Sequence, residues 1–118
     1  MYAAVLVMKV EKDMRASASF RFLALNEAQA NELARLIPGT EFGTHHETSK
    51  TVGSIELVDS KHVIAIDEFR RSHSFRATDC DVFISIASEK KDEVWRAPKA
   101  VNYVINIVNC PIVFSYTC

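Results

Sequence analysis

The densest run of chemistry-bearing residues is Arg70-Arg71-Ser72-His73-Ser74-Phe75-Arg76. Guanidinium, hydroxyl and imidazole groups together suit phosphate or carboxylate, and Phe75 adds a stacking surface. The anion-binding candidates are therefore Arg70, Arg71, His73, Phe75 and Arg76. Asp67, Glu68, Asp79 and Asp81 flank the run. They can neutralise it from within, so a self-paired, solvated loop competes with an anion site.

A second cluster, Thr44-His45-His46-Glu47, joins two imidazoles to a carboxylate. Zinc wants about four N, S or O ligands in a tetrahedron. Adjacent residues of an extended strand point to opposite faces, so both histidines cannot reach one ion from that geometry. No metal site is expected. For covalent catalysis a thiolate or alkoxide must lie against a base. Cys80 sits between Asp79 and Asp81, which push its pKa upward, the wrong direction for a nucleophile. Cys110 ends an expected helix, where the dipole also disfavours a thiolate. There is no G-x-S-x-G, P-loop or G-x-G-x-x-G pattern. The expectation is a protein without a catalytic constellation and without a cofactor.

The elements that must position these residues come from a chain of 118 residues, one domain's worth. Apolar residues make up 48% and charged residues 25%, which places the chain among globular proteins. The net charge of −1 gives no chain-wide attraction to nucleic acid or anionic membrane. Cys80, Cys110 and Cys118 are odd in number and widely spaced, which suits reduced thiols in the cytoplasm rather than a disulfide framework. The apolar run at 1–10 is too short to span a bilayer and has no basic region before it.

Tyr2–Val10 reads as a buried strand and Ala16–Leu25 as an alternating one, joined as a hairpin. Asn26 and Gln29 form a capping-box pattern, and Ala30, Leu33, Ala34 and Ile37 make one helical stripe that Pro38-Gly39 ends. Glu41–Thr44 is a short extended piece. Val52–Val58 and His62–Phe69 read as a second hairpin about Asp59-Ser60-Lys61. Asp81–Ser88 and Ile112–Thr117 read as strands. A helix starting near Pro98 carries Val101, Val104, Ile105 and Val108 on one face.

Two helices, each with one apolar stripe, must cover one face of one sheet. The expected fold is a single α+β domain over residues 1–118. It is a two-layer sandwich with a mostly antiparallel sheet and two helices on one face. Its element order resembles the ferredoxin-like superfold with an extra N-terminal strand, a likeness of order that carries no function.

With the helix-covered face assigned, Val63, Ala65, Phe69 and Phe83 are left on the opposite, open face, where an apolar patch marks an interface. On the second helix, Lys99, Asn102, Tyr103 and Asn106 line the outer face, and Asn is not chosen for helix stability. The functional expectation is a small non-enzymatic binding protein of regulator, immunity or inhibitor type. Its interface residues are Val63, Ala65, Phe69, Phe83, Asn102, Tyr103 and Asn106. Its partner is another protein or a second copy in a homodimer; nucleic acid and membrane are not expected partners. The alternative is a dimeric α+β barrel-like protein, a small-molecule binder or small enzyme, with an apolar pocket between subunits lined by Phe69, Phe83 and Trp95.

Overall fold

The computed structural model describes residues 14–58, 60–88 and 94–117. The expected strand at Tyr2–Val10 lies outside these residues. The described chain forms strands β1 (Met14–Leu25), β2 (Glu41–Thr44), β3 (Thr51–Glu56), β4 (Cys80–Ser88) and β5 (Ile112–Thr117). Its helices are α1 (Glu27–Leu36), α2 (Lys61–Ser72) and α3 (Lys99–Val108). A short 3-10 turn at Ala77–Asp79 leads into β4.

The five strands make one sheet in the order β2-β3-β1-β4-β5. All neighbours are antiparallel except β4 and β5, which run parallel. The fold is therefore α+β with a mostly antiparallel sheet, as the sequence predicts. Over Met14–Ser88 the order is β-α-β-β-α-β, but its members differ from those expected. In place of the second strand of a hairpin there is a third helix, α2.

The core explains the elements. On β1, Ala18, Phe20 and Phe22 face one way and are buried, while Ser17, Ser19 and Arg21 face the other. Phe20 lies between Ile55 of β3 and Val82 of β4, and Phe22 between Gly53 and Cys80. Leu33 and Ile37, Val63, Ile66 and Phe69, and Val101, Val104 and Val108 join that same cluster. All three helices thus cover one sheet face. Burying each large apolar side chain stabilises the fold by roughly 1.5–3 kcal/mol.

Helix α1 starts as its sequence dictates. The Asn26 side chain accepts from the Gln29 N–H at 2.7 Å, and the Gln29 side chain accepts from the Asn26 N–H at 2.9 Å. Helix α2 is the main correction. Val63, Ile66 and Phe69 are buried at helical spacing, while Ile64 is 68% exposed. Asp67 pairs with Arg70 three residues on and with Arg71 four residues on, contacts a helix supplies and a strand does not. The apolar run Val63–Ile66 fits either period, and its packing decides for the helix.

Candidate functional site

Beyond Lys99, the first residue of α3, the helix-and-strand unit at the β5 side of the sheet is built without charge. From Ala100 to Cys118 the chain contains no Asp, Glu, Lys, Arg or His. At the chain's own charged fraction of 25%, a stretch of that length would carry roughly five charges. Helix α3 begins after Pro98, whose ring suits a helix entrance. It ends at Asn109 in the left-handed region, φ 56°, where the Asn109 N–H donates to the Ile105 carbonyl at 2.8 Å. Pro111 then prevents continuation, and the chain returns as β5 beside β4.

Helix α3 buries Ala100, Val101, Val104 and Val108 and exposes Asn102, Tyr103, Asn106 and Ile107. Strand β5 pairs Val82 with Ile112, Ile84 with Phe114 and Ile86 with Tyr116, so these three β5 side chains take the helix side. Val113, Ser115 and Thr117 take the open side with Phe83, Ser85 and Ala87. Among the described residues, no helix covers the outer strand: Phe114 is 68% exposed, and Ile112, Val113 and Tyr116 are exposed as well. More than half of the exposed large apolar side chains among the described residues fall between Tyr103 and Tyr116. Asn102, Tyr103 and Asn106, expected on the outer face of this helix, are exposed, and Ile107, Ile112 and Phe114, which were not singled out, are exposed beside them. The charge-free stretch was the signal that marks them.

The chain matches no family model, no curated protein and no solved structure.

The other expected interface residues are separated by the fold. Val63 and Phe69 are buried in the core from α2, and Ala65 packs against that core. Phe83 alone lies on the open sheet face, where the Arg21 guanidinium sits 4.3 Å above its ring. Their common sheet face depended on a strand at His62–Phe69, and the helix there removes it. The same change dissolves the pocket expected from Phe69, Phe83 and Trp95. Phe69 is core, Phe83 is on the open face, and Trp95 packs against the core from the segment before α3. A groove of about 440 Å³ does occur on the open face, lined by Arg21, Glu41, His45, His46, Phe83 and Val113. Its one guanidinium is already held by Asp81.

The basic run at 70–76 is the end of α2 and the turn after it. Asp67 binds Arg70 at 2.8 Å and Arg71 at 3.0 Å. His73 Nε2 lies 2.7 Å from Glu32 Oε2, which ties α2 to α1. The Arg76 N–H donates to Asp79 at 2.8 Å, and that bond holds the Asp79 carboxyl below its usual range. Phe75 turns inward against Phe22 and Phe69. Every cation of the run thus has a carboxylate partner, and the intended stacking surface is part of the core. Arg71 and Arg76 are the arginines of the run left facing solvent, beside the exposed Ser72 and Ser74.

His45 and His46 lie in the turn after β2 with rings stacked 5.2 Å apart, rather than on opposite strand faces. Among the described residues, no group of three or more His, Cys, Asp or Glu side chains is placed to hold a metal ion. Cys80 and Cys110 are buried free thiols. Burial, then Cys110, then Asp79 push the Cys80 thiol up to about 12. Burial also raises Cys110. Neither is a nucleophile at neutral pH. Among the described residues, no helix is long and apolar enough to cross a membrane.

Proposed function

We propose that the chain is a small non-enzymatic binding protein, of regulator or inhibitor type, that meets a protein partner through the outer face of α3 and strand β5. The observation that carries this reading is the charge-free stretch 100–118, which exposes Tyr103, Ile107, Ile112 and Phe114 at one side of the sheet. Interface cores are depleted in charge and enriched in aromatic side chains. Edge strands that natural proteins keep to themselves carry Lys, Pro or a bulge. Strand β5 has none of these between Ile112 and Thr117. The carboxylate-paired arginines and the net charge of −1 favour a protein over a nucleic acid. The two free thiols suit a reducing compartment. The interleaved order β2-β3-β1-β4 over Met14–Ser88 supports a ferredoxin-like frame, with α3 and β5 as an addition at one edge.

The test is selection from a displayed library of short extended peptides on the immobilised full chain. Enrichment by the wild type that is lost in both Phe114→Lys and Tyr103→Lys supports the reading. No enrichment, or enrichment that ignores both substitutions, overturns it.

A further inference from the structure

The partner of this surface can be specified from its geometry. Val82 of β4 donates its N–H to the Pro111 carbonyl at 2.9 Å, while Val82 itself is in register with Ile112. In a parallel ladder this means that the odd residues of β5 bond to β4. Ile112 and Phe114 therefore turn their own N–H and C=O toward the outer side of the sheet. Among the described residues, no strand lies beyond β5 on that side.

We propose that a second copy of this chain adds to β5 by antiparallel pairing about a two-fold axis that passes beside Phe114. The inference rests on the interface reading above and names its occupant. Three features on the strand agree with it. First, a two-fold perpendicular to the sheet keeps both helix layers on one side, so a residue can face only a residue of its own parity. The outward backbone groups and the helix-side chains of β5 belong to the same parity, that of Ile112 and Phe114. Pairing about Phe114 therefore satisfies the backbone and the side chains together. Second, that register puts Phe114 opposite Phe114 of the second copy and Ile112 opposite Tyr116 of the second copy. Aromatic and β-branched residues are the favoured cross-strand partners. Third, the strand carries no charge, so meeting itself sets no like charges against each other. A charged foreign strand would find no counter-charge there. The joined sheet would contain the ten described strands of the two copies, and the apolar row that none of the described helices covers would be enclosed between them.

The experiment is sedimentation of the full chain over a range of concentrations, with Phe114→Lys, Phe114→Pro and, on the open face, Phe83→Glu. Proline at 114 removes an outward N–H and leaves the β4 ladder intact. The wild type is expected at twice the chain mass of 13.3 kDa. Both position-114 variants are expected to fall to half the wild-type value, with unchanged circular dichroism, while Phe83→Glu stays at the wild-type value. A second readout does not depend on tolerance of lysine or proline. Phe114→Cys in a Cys118→Ser background should form a disulfide-linked dimer with oxidised glutathione, which takes up the two electrons, while Val58→Cys should not. A monomeric wild type overturns the proposal. So does a dimer that survives both position-114 variants, or cross-linking no better at 114 than at 58. If the wild type is monomeric and becomes dimeric when residues 2–10 are deleted, the chain's own N-terminal segment is the occupant and the second copy is not. Peptide enrichment lost in Phe114→Lys, together with a monomeric wild type, would leave the interface reading standing and remove this one alone.

Discussion

Arg21 and Asp81 face each other across the β1–β4 ladder and are joined by two parallel hydrogen bonds, Nε to Oδ1 at 2.7 Å and Nη2 to Oδ2 at 2.6 Å. The pair stands on the sheet face opposite the three described helices, yet Asp81 is only 4% exposed. The guanidinium lies over the Phe83 ring, 4.3 Å from its centroid. Removing the guanidinium leaves a carboxylate with little water and no counter-charge. Arg21→Ala is expected to lower unfolding stability by about 2–3 kcal/mol, less than a fully buried pair because Arg21 is partly solvated. Arg21→Met with Asp81→Leu should recover most of the loss. Urea denaturation of the three variants measures this, and a double variant no better than Arg21→Ala would contradict it.

Gly53 of β3 is set where a side chain would press on its neighbours. A Cβ there would lie 2.8 Å from Leu25 Cδ1 and 3.0 Å from Leu33 Cδ2. Gly53→Ala is expected to cost about 1–3 kcal/mol through overpacking between β3 and α1. The midpoint of thermal unfolding reads the change. Gly43, with open space around its own Cβ position, serves as the neutral comparison.

Helix α2 makes a distinction that a strand would erase. Ile64 faces water and Ile66 the core. Ile64→Lys should leave stability within about 0.5 kcal/mol of wild type. Ile66→Ala should cost about 2–5 kcal/mol. Equal effects at the two positions would return this segment to the sheet.

Cys80 links stability to alkaline pH. The fold raises its pKa from an ordinary 9.0 to about 12, so the native state favours the protonated thiol more than the unfolded chain does. That contribution is complete below about pH 9 and is lost as pH rises toward 12. The denaturation midpoint of the wild type should fall across this window more steeply than that of Cys80→Ala. At neutral pH both buried thiols should resist a disulfide reagent until the chain is unfolded.

Sequence and structure agree where one signal acts alone. Asn26 and Gln29 meet as a capping box because both groups are local, and the Phe20 and Phe22 alternation could serve no period but that of a strand. The segment 61–72 is misread because Val63–Ile66 is apolar at every position, and its deciding contacts, Phe69 in the core and Asp67 with Arg71, lie downstream. Moving that one element relocates Val63, Ala65 and Phe69 and so dissolves the expected open-face patch. The self-pairing of the 70–76 run is legible from its flanking acids. The tie from His73 to Glu32 is not, because it depends on how α1 and α2 pack. Asn102, Tyr103 and Asn106 are legible from helical spacing alone, which is why they keep their place at the proposed surface.

Strand β1 is first of the described strands yet holds the centre of the sheet, with β3 on one side and β4 on the other. During synthesis its β3 side can be closed early, but the β4 side must wait. The Arg21–Asp81 pair spans 60 positions of sequence. At roughly 5–20 residues per second the ribosome needs about 3–12 s to bridge that interval. Throughout it the nascent chain displays Phe20 and Phe22 beside a vacant backbone edge, so the time of greatest exposure to chaperones and to misassociation ends only when β4 leaves the exit tunnel.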